Sequence, residues 1–323
     1  MSGGTGISPD TGISPGVSYV VTVYNKAQFL PATVAALLSQ EGDFAREFIF
    51  VDDGSTDGSA ELLAGLTRGV SDVTIVRQAN GGPAAATNAG LARARLDYIK
   101  PVDGDDRLPP PATRWLLEAC TRTGAGVAFG ETVNGDAAPS EPADAAISLL
   151  ADPLGFLLRR AHFGPSAILV RRDLFAAVGG CEESIFVQDY LMLLRLARRA
   201  AFVRVDGTVC LAPVDVPGRI TENQAQILHD LNAALARFCA ETPGLAWSVK
   251  RTALRRAAFR AWHWARRRAG AGIGSPSFWL AAASLLPALW PGPWPYAPML
   301  SATCAPFRKF ASIRVPIGKT RQS

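Results

Sequence analysis

The sequence contains few of the residues from which zinc sites and disulfide frameworks are built. Its 323 residues include five cysteines and three histidines. The cysteine number is odd, no C-x-x-C pair occurs, and the histidines lack the spacing of metal ligands. This pattern argues against a zinc site and against a secreted disulfide framework. We therefore expect buried, reduced cysteines in a cytoplasmic protein.

The sequence also has neither a secretory signal nor the glycine motifs that cradle phosphate groups. Residues 1–16 have no basic or long apolar stretch, contain TGISP twice and predict a flexible leader. No P-loop occurs, and the first apolar run is followed by TVYNKAQF instead of G-x-G-x-x-G. A Rossmann hydride enzyme and a P-loop nucleotidase are therefore poor interpretations.

Short apolar runs alternate with helical patterns over the first hundred residues. The predicted strands are VSYVVTV (17–23), EFIFV (47–51), VTIV (73–76) and DYIKPV (97–102). Helices are predicted between them, at 27–40, 60–66 and 84–95. This order is typical of parallel βαβ units in a doubly wound α/β sheet, which binds ligands beyond the carboxyl ends of its strands.

The alternation becomes looser after Pro109. The predicted helices of this part are 113–121, 147–159, 172–178 and 189–199. The predicted strands are 127–129, 166–170, 201–205 and 209–212. We therefore expect this part to extend the same α/β domain.

Acidic residues gather where the fourth predicted strand ends. In VDGDD, Asp103 and Asp105 are two residues apart, so an extended backbone directs both carboxylates to one side. Such a pair suits Mn²⁺ or Mg²⁺, which take oxygen ligands and often share them with phosphates. Taken alone, the motif is more typical of an inert, solvated turn. The polar pairs YN and DD after the first two strands favour one common crevice.

Five motifs occur together in a recognisable order. They are VVTVYN with Gln40 closing the first helix, FVDDGSTDGS, NGGPAAATNAG, VDGDD and VGGCEESIFVQDYLMLLRLA. With these motifs, the chain closely resembles the family 2 glycosyltransferases over about residues 17–212. The resemblance implies the GT-A fold, with a Rossmann-like, mostly parallel sheet. It also implies a metal-dependent, inverting transfer of a sugar from a nucleotide diphosphate to an acceptor hydroxyl.

The resemblance further implies roles for individual residues. Thr22 and Tyr24 would line the nucleoside site, and Asp53 would bind the base, commonly uracil. Asp103 would lie near the ribose and diphosphate, and Asp105 would be the main metal ligand with Asp103 beside it. The other substrate-binding candidates in the matching motifs are Asn80, Gly82 and Gln188.

The base of the family is the Asp of a Glu-Asp pair that opens a helix, and the corresponding pair here is Gln188-Asp189. Asp189 would therefore take the proton of the acceptor hydroxyl. An N-cap role for Asp189 is the alternative on local grounds, because Asp is a preferred N-cap residue.

Other positions depart from the family or are ambiguous. Many relatives have an arginine that reaches toward the nucleotide where this chain has Thr87. Arg107 or Arg219 would have to supply the missing charge. His162 precedes a predicted strand and is interpreted as a structural histidine rather than a residue of the acceptor side.

The C-terminal region is basic and rich in tryptophan. Drawn as a helix, its first part has an apolar side formed by Trp247, Leu254, Ala258, Ala261, Trp262 and Ala265. The opposite side is formed by Arg255, Arg256, Arg260, Arg266 and Arg267. This pattern predicts contact with an anionic membrane surface, and the alternative is a helical subdomain docked on the catalytic core. The following FWLAAASLLPALW is too short to span a bilayer.

We expect three segments: a leader at 1–16, a GT-A domain at 17–240 and a helical extension at 241–323. Residues from about 17 to 107 would bind the nucleotide sugar, and those from about 108 to 240 the acceptor. The expected partners are the sugar donor, a glycan or lipid-linked acceptor and the inner face of the cell membrane. An acidic crevice argues against nucleic acid. The alternatives are a polyprenyl-phosphate sugar synthase and an inactive GT-A module that binds a nucleotide sugar.

Overall fold

A computed structural model describes residues 15–135, 146–159, 163–214, 223–285 and 296–308. Within these residues, one sheet of eight strands forms the centre of the fold. The strands are β1 (Val17–Val23), β2 (Arg46–Asp52), β3 (Val73–Arg77), β4 (Tyr98–Asp103), β5 (Val127–Asn134), β6 (Ile147–Leu149), β7 (Ile168–Arg171) and β8 (Phe202–Ala212). Their order across the sheet is β3-β2-β1-β4-β7-β5-β8-β6.

The first four strands are parallel, with β1 between β2 and β4. Val23 lies opposite Asp52, and Thr22 lies opposite Asp103. Nearly every residue of β1 is buried, as its unbroken apolar run predicts for a strand covered on both faces. This register brings the carboxyl ends of β1, β2 and β4 to one edge of the sheet. The second half of the sheet is mixed, because β7 is antiparallel to both β4 and β5.

Helices cover both faces of the sheet. Those described are α1 (Leu30–Leu38), α2 (Ser59–Leu66), α3 (Gly82–Leu91), α4 (Ala112–Thr123), α5 (Pro153–Arg159), α6 (Arg172–Ala177), α7 (Gln188–Leu196), α8 (Gln224–Glu241), α9 (Trp247–Ala269), α10 (Pro276–Ala283) and α11 (Tyr296–Ala302). The first three connect the parallel strands and confirm the predicted βαβ units. The mixed α/β sheet with a helical C-terminal region confirms the predicted fold class.

Alternation along the central strands separates two apolar cores. On β5, Val127 and Phe129 belong to one core, whereas Ala128 belongs to the other. The first core is completed by residues of α5 to α9, and the second by residues of α1 and α4 such as Leu37 and Leu116. The period-2 pattern of a strand therefore accounts for both layers of helices.

Three predicted elements after Pro109, one helix and two strands, are corrected by the structure. The predicted helix 147–159 is wrong in its first part, because Ile147–Leu149 is β6 and pairs with β8. The helix begins at Pro153, and proline favours the first helical position because it has no N–H group to satisfy. The strands predicted at 201–205 and 209–212 are one strand, because β5 shifts register near Glu131 and keeps β8 paired.

The long basic helix α9 packs on α8 and α5. Its buried residues include Leu254, Ala257, Ala258 and Ala261, so its apolar side faces the interior of the protein. This agrees with a helical subdomain docked on the catalytic core and removes the reason to expect this side in a membrane. Arg260 is also not on a fully solvated side, since it is half-buried and donates to Asn232 Oδ1 at 2.6 Å.

The five cysteines are all buried and unpaired, which confirms the interpretation of them as structural thiols. Burial raises the pKa of the Cys120 and Cys181 thiols to about 12, so both are protonated at neutral pH. As to membrane spans, the described part of the chain includes no helix that is both long and apolar enough to cross a bilayer.

Candidate functional site

The loops that follow β1 and β2 are held together at the carboxyl edge of the sheet. Asn25, which has a positive φ of 52°, accepts a hydrogen bond from the Thr56 N–H at 2.8 Å through its side-chain oxygen. The N–H groups of Lys26 and Ala27 donate to Ser59 Oγ and the Asp57 carboxylate, both at 2.9 Å. The DGSTDGS motif thus fixes the backbone of the YNKA segment.

The acidic turn, residues 103–106, follows β4 directly and folds against the end of β1. The Gly104 N–H donates to Thr22 O at 2.9 Å, and the Asp106 N–H donates to Asp103 O at 2.9 Å. A Cβ atom at position 104 would itself lie 2.9 Å from Thr22 O. Glycine between the aspartates therefore allows the turn to approach β1 closely.

A lysine, and not only a metal ion, can neutralise this turn. Lys26 Nζ lies 2.6 Å from Asp105 Oδ2, and the exposed fractions of the two side chains are 23% and 5%. The sequence analysis missed Lys26. The available signal was its position directly after the YN pair, at the same sheet edge as the aspartates.

A second lysine lies beneath the acidic turn. Lys100 on β4 is fully buried, and its Nζ donates to the Ser166 carbonyl oxygen. Burial lowers the pKa of Lys100 to about 8 because desolvation disfavours the charged ammonium. Ser166 Oγ also accepts a hydrogen bond from the Asp103 N–H at 2.9 Å. The turn is thus anchored from below by side chains that sequence reasoning did not single out.

The structure brings Asp189 into electrostatic reach of the acidic turn. Burial raises the pKa of the Asp103 carboxyl well above its usual value. Its negative neighbours, which are Asp106, Asp105 and Asp189, raise that pKa further. Lys26 acts in the opposite direction. The excess of negative charge at this edge therefore favours protonation of Asp103 or the arrival of a cation.

Asp189 lies in the first turn of α7 and is not its N-cap, which corrects the alternative given above. The N-cap is Val187, which forms no side-chain cap hydrogen bond. Asp189 Oδ1 accepts from the adjacent Tyr190 N–H at 3.0 Å. A carboxylate in the first turn also interacts favourably with the positive end of the helix dipole.

Gln188 has an acceptor atom that is free for a ligand. The residue is 7% exposed, and its Oε1 is buried without a hydrogen bond from any described residue. A buried polar atom without a partner costs about 1–3 kcal/mol, so a donor supplied by a ligand would remove a real penalty. The atom lies next to Asp189 in the chain.

Asp53 holds the NGG turn at the carboxyl edge of the sheet. Its carboxylate accepts from Gln78 Nε2 and from the N–H groups of Gly81 and Gly82, each at 2.8 Å. This interaction explains why the DD and NGG motifs occur together. Asn80 in the turn is exposed and therefore accessible from solvent.

Of four further sequence candidates, two lie within the described residues. The Thr87 hydroxyl donates to Pro83 O at 2.8 Å within α3, and the residue is buried. The backbone of Arg107 pairs with Leu211 of β8. His162 and Arg219 lie outside the described residues.

Gln40 positions the segment that leaves the acidic turn. Its Nε2 donates to Leu108 O at 3.1 Å and Pro109 O at 2.9 Å. Its Oε1 accepts from Thr113 Oγ1 at 2.7 Å and from the Thr113 N–H at 3.2 Å. The residue is buried, so its role in the motif is structural.

The acidic turn fits a divalent cation that is bound together with phosphate oxygens. Within the described residues, no three His, Cys, Asp or Glu side chains are arranged around one ion position. Mg²⁺ in proteins is often held by only one or two carboxylates plus substrate phosphates. Asp103 and Asp105 provide such a pair, and the repulsion around Asp103 is what a cation would relieve.

Comparison of the sequence with known proteins agrees with the motif order. The family "Glycosyl transferase family 2" matches residues 18–174. The uncharacterized glycosyltransferase EpsJ of Bacillus subtilis is 39% identical over 105 residues, which are 32% of this chain and 30% of the relative. Glycosyltransferase GlyG of Streptococcus pneumoniae is 35% identical over 121 residues, which are 37% of this chain and 40% of the relative. The chain thus matches less than half the length of each.

Comparison of the structure with solved proteins shows the fold. Staphylococcus aureus TarS 1–349, solved in complex with UDP-GlcNAc, superposes with a TM-score of 0.64 and 16% identity. The match covers 84% of this chain and 79% of TarS 1–349. The mannosyltransferase PcManGT of Pyrobaculum calidifontis, solved with GDP-Man and Mn²⁺, gives a TM-score of 0.60 and 20% identity. That match covers 94% of this chain and 85% of PcManGT.

The family match and the ordered motifs cover the same strands, and the fold is that of solved glycosyltransferases. Residues 18–174, which contain four of the five motifs, therefore match glycosyl transferase family 2, the family that the motifs predict.

Proposed function

We propose that the chain is an inverting hexosyltransferase. It would move a sugar from a nucleotide diphosphate, a UDP-sugar, to a hydroxyl group of a glycan or lipid-linked glycan by single displacement. The observation that carries this proposal is that Asp103 and Asp105 share the turn at the end of β4 and that the charge of Asp189 raises the pKa of Asp103. Such a cluster combines carboxylates for a metal-bound leaving group with a carboxylate that can act as base.

The donor nucleoside would lie across the carboxyl ends of β1 and β2. Tyr24 is 43% exposed there, next to Thr22, and offers an aromatic surface. Asp53 would share its remaining acceptor capacity with the base N–H, and Asn80 and Gly82 would line the same side. TarS, a structural neighbour, was solved with UDP-GlcNAc, which supports a uridine nucleotide here.

Asp105, with Asp103, would hold Mn²⁺ or Mg²⁺, and Lys26 would release Asp105 when the ion is bound. The ion supplies positive charge that stabilises the departing diphosphate. Two carboxylates at one edge and the Mn²⁺ in the PcManGT complex support this assignment.

Asp189 would accept the proton of the attacking hydroxyl group. It lies in the first turn of α7, and its negative charge raises the pKa of Asp103 in the acidic turn, beside which the donor sugar would lie. Gln188 would bind substrate, with its free Oε1 accepting from a sugar hydroxyl. Glutamine in place of the usual glutamate keeps an acceptor while removing one negative charge.

We also propose that residues from about 17 to 107 and from about 108 to 240 form the donor and acceptor halves, and that 241–323 bring the enzyme to the inner face of the cell membrane. The support lies in two exposed apolar residues after α9, Ile273 and Trp279, which are 72% and 62% exposed, and in the exposed Arg266 and Arg267 of the last turn of α9. Exposed tryptophan beside arginine is typical of an interfacial surface.

The first test is calorimetric titration of UDP, GDP and dTDP into the protein, with and without Mn²⁺. We expect one nucleotide, UDP, to bind in a Mn²⁺-dependent manner. Asp105→Ala should weaken this binding at least about tenfold, because the main metal ligand is lost.

Asp43→Ala is the matched control, since Asp43 is an exposed aspartate away from the sheet edge. Unchanged UDP binding by Asp105→Ala would show that the acidic turn is not the metal site. Absence of binding by all three nucleotides would favour a module without donor-binding activity.

A further inference from the structure

A basic cavity lies outside the donor crevice, between α9 and α5. Its volume is about 690 Å³. It is lined by Arg159, Thr252, Arg255, Arg256, Phe259, Arg260 and His263. No described residue of this lining is acidic. The volume is in the range of small-molecule sites, so the cavity can hold more than a single ion.

The cationic side chains of α9 converge because of their spacing. Arg256 and Arg260 are four residues apart, which places like charges on one side of the helix. Such pairs destabilise an isolated helix. Arg159 at the end of α5 adds a third guanidinium from the opposite wall.

Among the residues that the structure describes, little neutralises this charge. Arg159 has Asp152 at 3.5 Å, and both side chains are largely exposed. Arg260 donates to the neutral amide of Asn232 at 2.6 Å. Burial lowers the pKa of the Arg260 guanidinium, and the charge of Arg256 lowers it further. The cavity thus carries a positive charge that a bound anion would balance.

The cavity lies beside the helix that carries the candidate base. Tyr190 follows Asp189, and its hydroxyl donates to Leu157 O at 3.3 Å in α5, two residues before Arg159. Burial raises the pKa of the Tyr190 phenol, while the charges of Arg260 and Arg256 lower it. The arginines are therefore within electrostatic reach of Tyr190, which belongs to the proposed acceptor half.

We propose that this cavity binds the phosphate or diphosphate group of the acceptor substrate. Each planar guanidinium group in this concave site can donate two parallel hydrogen bonds to the oxygens of a phosphate group. A phosphate held there would place the remainder of the acceptor next to the first turn of α7. The identification of the ligand as the acceptor substrate rests on the proposed glycosyl transfer. The anion site itself rests only on the cavity.

Phosphate chemistry of this kind has two sources, a lipid-linked acceptor and a water-soluble phosphorylated glycan. Both present the same oxygens to the arginines. Binding of the protein to vesicles and binding of an anion can be measured separately. The two sources can therefore be distinguished in one experiment.

The test is calorimetric titration of inorganic pyrophosphate into the full chain without divalent metal. Arg256→Gln should weaken binding by about tenfold or more, because a charge-assisted contact is removed while an exposed position is changed. Arg266→Gln is the matched control, since it removes the same charge from an exposed site of α9 outside the cavity. Arg255→Gln provides a second cavity variant.

Binding of phosphatidylcholine vesicles with and without phosphatidylglycerol identifies the source. For a lipid phosphate, pyrophosphate should compete with anionic vesicles, and Arg256→Gln should lose this competition. For a soluble acceptor, pyrophosphate should bind without affecting vesicle binding. No pyrophosphate binding by the wild type, or an equal loss in Arg266→Gln, would overturn the proposal. UDP titration with Mn²⁺ tests the donor site separately, so failure of one site does not conceal failure of the other.

Discussion

The acidic edge of the sheet and the basic cavity on α9 concentrate opposite charges. The two sites differ in how many oppositely charged side chains lie next to those charges. At the sheet edge, Asp105 has Lys26 at 2.6 Å, and Lys100 is buried beneath the same turn. In the cavity, Arg260 donates to the neutral amide of Asn232, and Arg256 repels it. The first site has lysine counterions, whereas within the described residues the second has a nearby carboxylate only at Arg159.

This difference suggests different modes of binding. A cation at the acidic turn must displace Lys26, so its binding is an exchange of one positive partner for another. An anion in the cavity would meet guanidinium groups among which, in the described part of the chain, only that of Arg159 lies close to a carboxylate. Cation binding at the acidic turn should therefore depend on whether Lys26 is present. Anion binding in the cavity should depend on the concentrations of salt and phosphate.

The largest effect is expected for Asp189→Asn, which tests whether the acidic edge contains a base as well as a metal pair. Loss of a general base typically lowers kcat by about 10²–10⁴-fold. UDP binding with Mn²⁺ should be spared, because Asp189 is not a proposed metal ligand. Transfer rates and calorimetry on the same variant measure the two quantities.

Asp173→Asn is the matched control for this variant, because Asp173 also lies in the first turn of a helix, α6, but is exposed. Full activity of Asp189→Asn would remove the base assignment. It would favour a polyprenyl-phosphate sugar synthase, since a phosphate acceptor needs no strong base.

The next effect concerns the internal counterion. Lys26→Met should lower the free energy of unfolding by about 1–3 kcal/mol without metal, because the buried Asp105 carboxylate loses its charged partner. Mn²⁺ should bind this variant more tightly, since no lysine competes for Asp105. Thermal unfolding with and without Mn²⁺ measures both changes.

Lys250→Met is the control for removal of a lysine, because Lys250 donates only to Pro243 O at 2.7 Å among the contacts described. If Lys26→Met and the control change stability and Mn²⁺ binding alike, the Lys26–Asp105 ion pair does not control cation binding at the acidic turn. The proposed difference between the acidic turn and the cavity would then be smaller.

The smallest effect is expected at the exposed apolar surface after α9. Trp279→Ala should weaken binding to anionic vesicles by about threefold to tenfold, because the side chain is mostly exposed in the free protein. Leu149→Ala, at 55% exposure on β6, is the control for loss of an exposed apolar side chain. Point variants are preferable to deletion of 247–323, which would uncover the core beneath α9. Equal binding of all three proteins would remove the membrane assignment.

The first half of the fold could be predicted from the sequence because its signals are local. β1 is buried along nearly its whole length and appears in the sequence as a run in which five of seven residues are β-branched. The second half was harder, because β6 has only three residues and is defined by its pairing with β8. Pairing between distant segments has no local pattern, so Ile147–Leu149 was assigned to a helix.

The site shows the same division. Spacing in VDGDD and the ordered motifs indicated Asp103, Asp105 and Asp189, which the structure brings into electrostatic reach. Lys26 and Lys100 were missed, because single lysines carry no motif and their partners lie 79 and 66 residues away. Sequence reasoning therefore finds residues that a motif carries and misses the residues that balance their charge.

Gln40 has a consequence for any attempt to transplant the acidic turn. Its amide donates to the carbonyl oxygens of Leu108 and Pro109 and accepts from Thr113, on both sides of the entry to α4. Glutamate has no N–H to offer these carbonyls, and asparagine is one methylene too short for the same reach. The turn and this glutamine are therefore one exchangeable unit: a chimera that receives VDGDDRLPP without Gln40 would leave two carbonyls unsatisfied and the aspartates out of place.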